Sequence, residues 1–488
     1  MNLNRALVWN VGTCRPDAKG EVQVGGPREG ESTDAGHRGG AARNRDEGSV
    51  MGLDRRGCIV QLYSGINQIW EEFLDQAKPF SISKREVWES FKLVRANRGA
   101  AGIDGQSISA FEKNLANNLF KIWNRMSSGS YFPLAVRRVE IPKDTGGKRP
   151  LGIPTVSDRI AQMVVKRYLE PIVEACFHSD SYGYRPGKSA LAAVAAARTR
   201  CWRNDWVLDL DIKGFFDNID HDLLMRAVRH HTDCPWVLLY VERWLTVPVQ
   251  LEDGAILTRN KGTPQGGVIS PLLANLFLHY VFDVWMDRHY ADIPFERYAD
   301  DALCHCRCQN RARELKDALE RRFADCKLEL HPEKTKIIYC RDDDRRGPYP
   351  NYTFDFLGYG FRPRPSRNHR GKFFINFSPA ISNKASKRIR QTLRRLRLHL
   401  RSDLTLDSLA RILNPVVQGW INYFGRFYKS ALSSSLRPID RILARWASRK
   451  YKRLRGHQRK AFHWLGDIAS RQVGLFAHWR FLHSRVGQ

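Results

Sequence analysis

Two acidic motifs contain the residue types best suited to catalysis. The segment Tyr298–Asp301 places two adjacent aspartates, Asp300 and Asp301, between apolar segments that are predicted to be strands. Placing two carboxylates there costs free energy unless water solvates them or a cation neutralises them. A hairpin tip that holds a metal ion would meet this requirement. Four residues alone are equally consistent with an ordinary β-turn.

A second predicted strand also ends in carboxylates. Val207, Asp209 and Asp211 alternate with other residues over 205–212, so that Asp211 closes the strand. Asp211 and Asp300 together suit two Mg²⁺ ions about 4 Å apart, one to activate a 3′-hydroxyl group and one to stabilise pyrophosphate. The two motifs together therefore indicate nucleotide polymerisation.

The surrounding pattern predicts the elements that position these motifs. Residues 131–155 alternate apolar and polar types around an Asp-Thr-Gly-Gly turn, which is typical of a β-hairpin. Earlier in the chain, Val87, Phe91 and Val94 recur at helical spacing. Further helices are predicted over 158–177 and 189–202, and further strands over 205–212 and 295–307. Helices and strands in this irregular order indicate the α+β class rather than a doubly wound sheet.

The charge balance indicates a nucleic-acid partner. The 488 residues include 80 Lys and Arg against 51 Asp and Glu, which gives a formal net charge of +29. Basic side chains placed on phosphates release condensed counterions, so an excess of this size favours a polyanion. From Asn383 onward there are 24 basic and four acidic residues. The spacing there predicts one apolar face of a basic helix, formed by Ile389, Leu393, Leu396 and Leu400. Aromatic residues among these bases favour nucleic-acid binding over a merely solvated face.

Other features limit the class of protein. No run of about 18 apolar residues and no signal peptide is visible, which predicts no membrane segment and a cytoplasmic location. Residues 1–60 are rich in Gly, Arg and Glu and are predicted to be a disordered extension, with a basic tether for RNA as the alternative. The run from Cys304 to Cys308 invites a zinc interpretation, but sulfurs at two-residue steps along a strand favour buried thiols.

Seven ordered sequence blocks resemble those of a known family. They are IPKDTGGKRPLGIPT, SYGYRPGKS, DIKGFFDNIDH, GTPQGGVISPLLANLFLHY, YADD, KLELHPEKTKI and FDFLGYGFRP. In this order they resemble the blocks of bacterial group II intron reverse transcriptases. Upstream, ANRGAAGIDG resembles the N-terminal extension of those proteins, and downstream LNPVVQGWINYFGRFY resembles their maturase, or thumb, segment. The resemblance covers about residues 85–450.

This resemblance implies a right-hand polymerase with a helical thumb/maturase domain and a basic C-terminal tail. The expected divisions are an N-terminal extension and fingers at 61–200, a palm at 201–377, a thumb/maturase domain at 378–445 and a DNA- or RNA-binding tail at 446–488. Many relatives end in an endonuclease module with paired cysteines. The last cysteine here is Cys340, so the type that lacks an endonuclease is expected.

Carried onto this chain, the family pattern implies that Asp211, Asp300 and Asp301 are the catalytic carboxylates. With Ile212 they would hold two Mg²⁺ ions, and Asp301 would have a lesser role than the other two.

The same resemblance implies a set of nucleotide contacts. Lys143 and Arg149, on the two arms of the predicted hairpin, match positions that neutralise the incoming triphosphate. Gln265 precedes two glycines in a loop expected to lie against the nucleotide, where glycine permits a close approach of the backbone. Lys334 matches a position that helps to protonate pyrophosphate, although a lysine at a helix start on the surface is an equally good interpretation.

Phe216 bears on which nucleotide is polymerised. It follows Asp211 by five residues, where a bulky ring would clash with a 2′-hydroxyl group and favour dNTPs; packing in the core beside Phe215 is the alternative. The implied activity is extension of a DNA primer on an RNA template, together with maturase binding of the host group II intron RNA and mobility into target DNA. The alternatives are an RNA-binding splicing cofactor with a vestigial polymerase and a domesticated host reverse transcriptase.

Overall fold

The structure is a computed structural model that describes residues 78–142 and 147–483. The predicted extension at 1–60 lies outside this range. In chain order the elements are α1 (Lys84–Ala96), α2 (Ile108–Glu112), α3 (Leu115–Ser127), β1 (Val136–Pro142), β2 (Lys148–Ile153), α4 (Val156–Glu174), α5 (Ala190–Arg203), β3 (Trp206–Leu210), α6 (Phe215–Asn218), α7 (His221–His231), α8 (Pro235–Leu245), β4 (Val249–Gln250), β5 (Ile256–Leu257), α9 (Ser270–Leu278), α10 (Val284–His289), β6 (Phe295–Tyr298), β7 (Asp301–Cys306), α11 (Gln309–Asp325), β8 (Lys336–Tyr339), β9 (Phe354–Phe356), β10 (Tyr359–Arg367), β11 (Phe373–Ile381), α12 (Asn383–Arg395), α13 (Leu406–Phe424), α14 (Lys429–Leu436), α15 (Pro438–Lys450), α16 (Gln458–Arg471) and α17 (Ala477–His483), with a π-helix at His279–Asp283 and short 3₁₀ helices at Leu398–Leu400 and Lys452–Leu454.

The fold mixes helices with mainly antiparallel strands, in agreement with the predicted α+β class. In the N-terminal part, α1 buries Val87, Phe91 and Val94, as their helical spacing predicted, and lies against α4. The Ser83 hydroxyl caps α1 by accepting a hydrogen bond from the Glu86 N–H. Among the described residues, no helix has both the length and the apolar content needed to cross a bilayer.

The predicted β-hairpin is present as β1 and β2. The two strands pair antiparallel, and β1 also pairs in parallel with β4, so that β5 completes a sheet of order β2-β1-β4-β5. The helices predicted next are observed as α4 and α5, close to the expected bounds. The hairpin thus leads into α4, and the next helix, α5, packs on β6 and β7.

The central sheet has the strand order β6-β7-β3-β8 and is antiparallel throughout. The strand predicted over 295–307 is observed as two strands, β6 and β7, joined by a tight turn. Alternate residues of a strand point to opposite faces, and the face that carries Asp209 also carries Val207, Leu303 and Ile338. These apolar side chains pack in one core with α5 and the third sheet, which has the order β11-β10-β9.

The third sheet extends past the expected end of the palm, and the next helix begins close to its predicted position. β11 continues to Ile381, so the boundary expected at residue 377 falls inside a strand. The face predicted for the following helix is partly wrong. Ile389 and Leu393 are buried, but α12 ends at Arg395, because Arg397 adopts a left-handed backbone conformation with φ +47°, and Leu400 is half exposed.

The last helices, α12 to α17, share one hydrophobic core. The boundary predicted between residues 445 and 446 falls inside α15, and Trp446, Ala461, Phe476 and Trp479 on its C-terminal side are all buried in that core. The expected separate tail is therefore folded together with the helices before it. Its apolar residues are spaced among many basic ones, which gives the sequence the appearance of a tail.

Candidate active site

The ends of β3 and β7 bring the predicted carboxylates together. Leu210, the last residue of β3, pairs with Ala302 in β7. In an antiparallel pair, the residue after one partner faces the residue before the other. Asp211 and Asp301 therefore face each other where the ladder ends.

The turn between β6 and β7 adds the third carboxylate. Tyr298 pairs with Asp301 across this turn, which leaves Asp300 at its tip. Ala299 has a φ of +58°, which is uncommon for a residue with a Cβ atom. Gly183 lies against the turn so closely that a Cβ atom there would be 2.3 Å from the Ala299 nitrogen. The turn is thus held in a specific shape by the loop that packs on it.

The carboxylates repel one another strongly. Protein atoms crowd the Asp301 carboxylate although the residue keeps an exposed side, and this desolvation raises the pKa of Asp301 to about 7, with the charges of Asp300 and Asp211 acting in the same direction. Burial raises the pKa of Asp209 to about 8, and the charges of Asp301 and Asp211 add to the effect. Asp209 was not predicted as a site residue, although its place two residues before Asp211 was a signal. The carboxylates gathered at this edge of the sheet therefore favour the binding of a cation.

Lys334 lies at this edge. Its Nζ atom is 3.2 and 3.3 Å from the two carboxylate oxygens of Asp211. It belongs to a turn before β8, so the helix-start interpretation was wrong. Lys334 is exposed and Asp211 is partly exposed, so this ion pair contributes less than about 1 kcal/mol to folding and is easily exchanged.

The donor set suits a hard cation. In the part of the chain that the structure describes, no three His, Cys, Asp or Glu side chains are grouped closely enough to hold a metal ion by themselves. Mg²⁺ is usually held by one or two carboxylates plus substrate phosphates and water, so a partial protein shell fits it. The bridge between Ile212 and Leu330 uses the Asp211 carbonyl and the Lys213 N–H, so it does not engage the Ile212 carbonyl. The predicted ligands Asp211, Ile212 and Asp300 are thus compatible with Mg²⁺.

Two phenylalanines lie beside the carboxylates, and Phe215 is the deeper one. Its ring packs near Phe277, with ring centroids 6.4 Å apart. Phe216 is also buried, and its carbonyl accepts a hydrogen bond from the Thr263 N–H in the loop that contains Gln265. Of the two phenylalanines, Phe216 is therefore the one whose backbone is hydrogen-bonded to the predicted nucleotide loop.

The Gln265 loop is bonded to both the hairpin and α6. The Gln265 carbonyl accepts the Gly152 N–H at 2.7 Å, and its Nε2 atom lies 3.3 Å from an Asp217 carboxylate oxygen. Gly266 has a φ of +117°, and a Cβ atom there would be 2.3 Å from the Gly152 carbonyl oxygen, so glycine is required. A cavity of about 170 Å³ between loop and hairpin is lined by Arg138, Gly152, Asp217 and Gln265.

The two remaining predicted contacts are described only in part. Lys143 lies outside the described residues. Arg149 lies in β2 opposite Ile141, and the role of its side chain stays a prediction.

The cysteine run on β7 is divided between buried positions on the strand and an exposed position beyond it. Cys304 and Cys306 are buried, and Cys308 is exposed beyond the strand. His305 points to the other face, where its Nε2 atom lies 2.7 Å from a Glu296 carboxylate oxygen. The preference for buried thiols over zinc therefore agrees with the structure for Cys304 and Cys306.

Sequence reasoning missed a buried ion pair that supports the catalytic turn. Arg297 and Asp283 are both fully buried. The Arg297 guanidinium donates to the two Asp283 carboxylate oxygens at 2.7 and 2.5 Å. Its Nη1 atom donates to Asn275 Oδ1 at 3.1 Å and to the Ala299 carbonyl at 3.0 Å. One side chain thus ties the turn to α9 and the π-helix.

This pair is charged despite its burial. Burial alone would raise the pKa of Asp283, but the charge and hydrogen bonds of Arg297 outweigh it and lower the pKa to about 2. Asn275 extends the network by donating to the Gly183 carbonyl at 2.6 Å. The available signal was an arginine immediately before the Tyr298–Asp301 motif, inside an apolar strand.

Two family models match the chain. Residues 141–361 match the family described as reverse transcriptase (RNA-dependent DNA polymerase). Residues 386–464 match the group II intron, maturase-specific domain. The first match contains all the aspartates at the sheet edge, and the second covers most of the C-terminal helices.

Individual relatives agree with these matches. Protein YkfC of Escherichia coli (strain K12) is 32% identical over 324 residues, which cover 57% of this chain and 81% of YkfC. Group II intron-encoded protein LtrA of Lactococcus lactis subsp. cremoris is 35% identical over 193 residues, which cover 39% of this chain and 32% of LtrA. The putative COX1/OXI3 intron 1 protein of Saccharomyces cerevisiae is 28% identical over 242 residues, 49% of this chain and 28% of that protein. The chain therefore belongs to the family of group II intron-encoded proteins that join a reverse transcriptase to a maturase domain.

Proposed function

We propose that the protein extends a primer with dNTPs on an RNA template and, as a maturase, binds its host group II intron RNA to promote splicing and mobility. One observation carries the polymerase part. Asp211, Asp300 and Asp301 meet at one sheet edge inside the segment that matches reverse transcriptases. Two-metal phosphoryl chemistry needs such a convergence of oxygen ligands.

In this proposal, Asp211 and Asp300 hold two Mg²⁺ ions with the Ile212 carbonyl, and Asp301 has a lesser role. When bound, Mg²⁺ lowers the pKa of the primer 3′-hydroxyl group and neutralises phosphate charge. Because crowding raises the pKa of Asp301 to about 7, its carboxylate needs nearby positive charge to stay ionised at neutral pH. Metal binding and carboxylate ionisation therefore support each other.

The remaining residues act on the nucleotide. Lys334, within 3.3 Å of a metal-binding carboxylate, gives its proton to the leaving pyrophosphate. Phe216 excludes a 2′-hydroxyl group, and the Gln265 loop lies against the base pair being formed. Lys143 and Arg149 neutralise the triphosphate.

The sheets and cores support a proposed division into the regions of a right-hand polymerase. We assign the N-terminal extension and fingers to 61–200, with the β1–β2 hairpin in the fingers. The palm contains the central sheet and the third sheet, from residue 201 to Ile381. The thumb/maturase region runs from Asn383 to His483, since α12 to α17 share one core.

The maturase region offers basic surface to RNA. Arg441, Arg445 and Arg449 are exposed on α15, and their spacing of four places them in one stripe along the helix. Such a stripe suits backbone phosphates, which carry most of the affinity in protein–RNA contacts. The intron RNA and the target DNA both present this chemistry.

The polymerase assignment is tested by primer extension on an annealed RNA template. We expect Asp211→Asn to lower the rate more than about a hundredfold, because an amide binds Mg²⁺ far more weakly than a carboxylate. Asp292→Asn is the matched control, since Asp292 is an exposed carboxylate before β6 that pairs with Arg311. Extension by Asp211→Asn at the rate of the control would show that the assignment is wrong.

A further inference from the structure

Two neighbouring cavities share one arginine beside the β10–β11 hairpin. The first, about 770 Å³, lies between α5, the outer half of the hairpin and the start of α14, and its lining includes Trp202, Phe373 and Tyr428. The second, about 740 Å³, lies between α5 and the segment after α13, with Arg426 in its lining. Arg198 of α5 lines both. The two cavities therefore form one continuous surface around this side chain.

Arg198 has unused hydrogen-bonding capacity. Its Nε atom is buried and has no hydrogen-bond partner among the described residues. The guanidinium lies over the Trp202 ring, 4.3 Å from the ring centroid, and 5.9 Å from the Phe427 ring centroid. Arg198 as a whole is only partly buried and lines both cavities, so the accessible part of its side chain can contact a ligand.

Two further arginine–aromatic pairs stand next to it. The guanidinium of Arg367 lies 5.9 Å from the Phe373 ring centroid, and that of Arg364 lies 5.4 Å from the Tyr428 ring centroid. Phe373 is 73% exposed, whereas Tyr428 is fixed by donating its hydroxyl to the Pro365 carbonyl. Aromatic faces next to guanidinium groups are the combination that proteins use to stack bases and bind phosphates.

The charge of the surface is of one sign. Arg198, Arg367 and Arg426 line the two cavities, and no acidic residue of the described chain does so. Such a surface is complementary to a polyanion.

The outer end of this surface, at Phe373, is distant from the base of the hairpin. The base of the hairpin is near the polymerase carboxylates, since Asp355 pairs with Gly360 and acts electrostatically on Asp209. Phe373 is eight residues along the strand from Ile381, which at about 3.3 Å per residue is roughly 26 Å away. A base stacked on Phe373 would therefore lie outside the polymerisation site.

We propose that this surface binds a single-stranded segment of RNA, with bases stacked on Trp202, Phe373 and Tyr428 and phosphates on Arg198 and Arg367. A single strand fits because stacking on side chains requires unpaired bases. The proposal rests on the proposed function, since the intron RNA is the polyanion that the maturase would bind. It adds a second RNA contact, on the hairpin, to the basic helices.

The test uses the full-length protein and an unstructured oligoribonucleotide of about 12 nucleotides. We expect Phe373→Ala and Arg198→Gln each to weaken binding about tenfold, and Arg198→Gln to reduce the salt slope of binding by about 0.7. A 4-thiouridine version of the oligonucleotide should crosslink to peptides that contain Trp202 or Tyr428. Extension of an annealed primer–template should be unchanged in both variants.

Phe132→Ala is the matched control. Phe132 is another exposed ring beside an arginine, but Arg243 already donates to the carbonyls of Gly129 and Tyr131. Binding by Phe373→Ala equal to that of this control, with no crosslink at the cavities, would overturn the inference. Primer extension that falls in parallel with binding would also overturn it, because the surface would then belong to the primer–template path. Wild-type protein that binds the oligonucleotide through Phe373 but extends no primer would instead contradict the proposed function.

Discussion

The edge of the central sheet and the C-terminal helices concentrate charge of opposite sign in different ways. At the sheet edge, carboxylates converge and desolvation and mutual repulsion raise the pKa of Asp209 to about 8 and that of Asp301 to about 7. On the C-terminal helices, basic side chains such as Arg441 and Arg445 spread over a solvated surface. Bringing the carboxylates together costs free energy and requires neighbouring residues that hold them in place. The dispersed basic side chains can be substituted with less effect.

This difference predicts how substitutions will act. Convergent charge depends on backbone positions fixed by strand pairing and by buried partners, so one substitution can disable the site. Dispersed charge acts additively through phosphates, so each side chain contributes a small share. The predictions below follow this order, from supports of the sheet edge to the dispersed bases.

The largest effect on stability is expected at Arg297. Arg297→Met leaves Asp283 buried without its partner, which should lower the free energy of unfolding by about 3 to 5 kcal/mol. The Ala299 carbonyl also loses its donor, so primer extension should fall more than about tenfold in protein that remains folded. Chemical denaturation and single-turnover extension measure the two effects.

Two further variants separate support of the turn from general stability. Arg200→Met breaks a nearby ion pair with Glu296 that does not contact the turn, so it should lower stability but preserve extension by the folded protein. The double variant Arg297→Met with Asp283→Asn removes the unpaired charge and should recover stability without recovering extension. Recovery of both together would reduce Arg297 to a purely structural residue.

The buried pair also predicts a pH dependence of stability. Arg297 lowers the pKa of Asp283 to about 2, compared with about 3.9 in the unfolded chain, so the folded state binds this proton more weakly. The resulting stabilisation, about 2 to 3 kcal/mol, is present above pH 4 and is lost as the pH falls toward 2. Wild-type protein should therefore lose stability more steeply than Asp283→Asn over that interval. The free energy of unfolding of both proteins is measured by denaturant titration at each pH. If it falls with pH in parallel for the two proteins, Asp283 does not titrate in this way.

Sugar discrimination is expected to change by a smaller amount. Phe216→Ala removes a steric clash, so the preference for a deoxynucleotide over the matching ribonucleotide should fall about tenfold. Phe215→Ala is the control, because this deeper ring should affect stability more than discrimination. Single-nucleotide incorporation measures the ratio, and an unchanged ratio in Phe216→Ala would make this ring an ordinary core residue.

Local patterns predicted much of this arrangement, and long-range partners were invisible. Strand alternation and turn residues were enough to predict the hairpin, the tight turn and the approach of β3 to it. The pair of Arg297 and Asp283 joins a strand to a π-helix, which no local pattern specifies. The end of α12 depends on the backbone of Arg397, whose residue type does not favour that conformation. The shared C-terminal core was hidden because Trp446 and Phe476 are spaced among basic residues.

The smallest effect is expected from the dispersed bases. Replacing Arg441, Arg445 and Arg449 with Gln should reduce the slope of log affinity against log salt by up to about 0.7 per lost phosphate contact, with little effect on folding. Truncation is unsuitable as a test, since the helices after α15 belong to the shared core. An unchanged salt slope would locate the RNA surface on another part of the protein.

The most direct test of the account measures intron-RNA affinity and primer extension in the same preparations of two variants. Asp300→Asn should lose extension and keep its intron-RNA affinity within about twofold, because the turn and the basic stripe are independent sites. The triple arginine variant should keep extension of saturating primer–template and bind intron RNA more weakly. Loss of RNA affinity by folded Asp300→Asn, or its continued extension at the wild-type rate, would contradict the division between a carboxylate edge for chemistry and a basic surface for RNA.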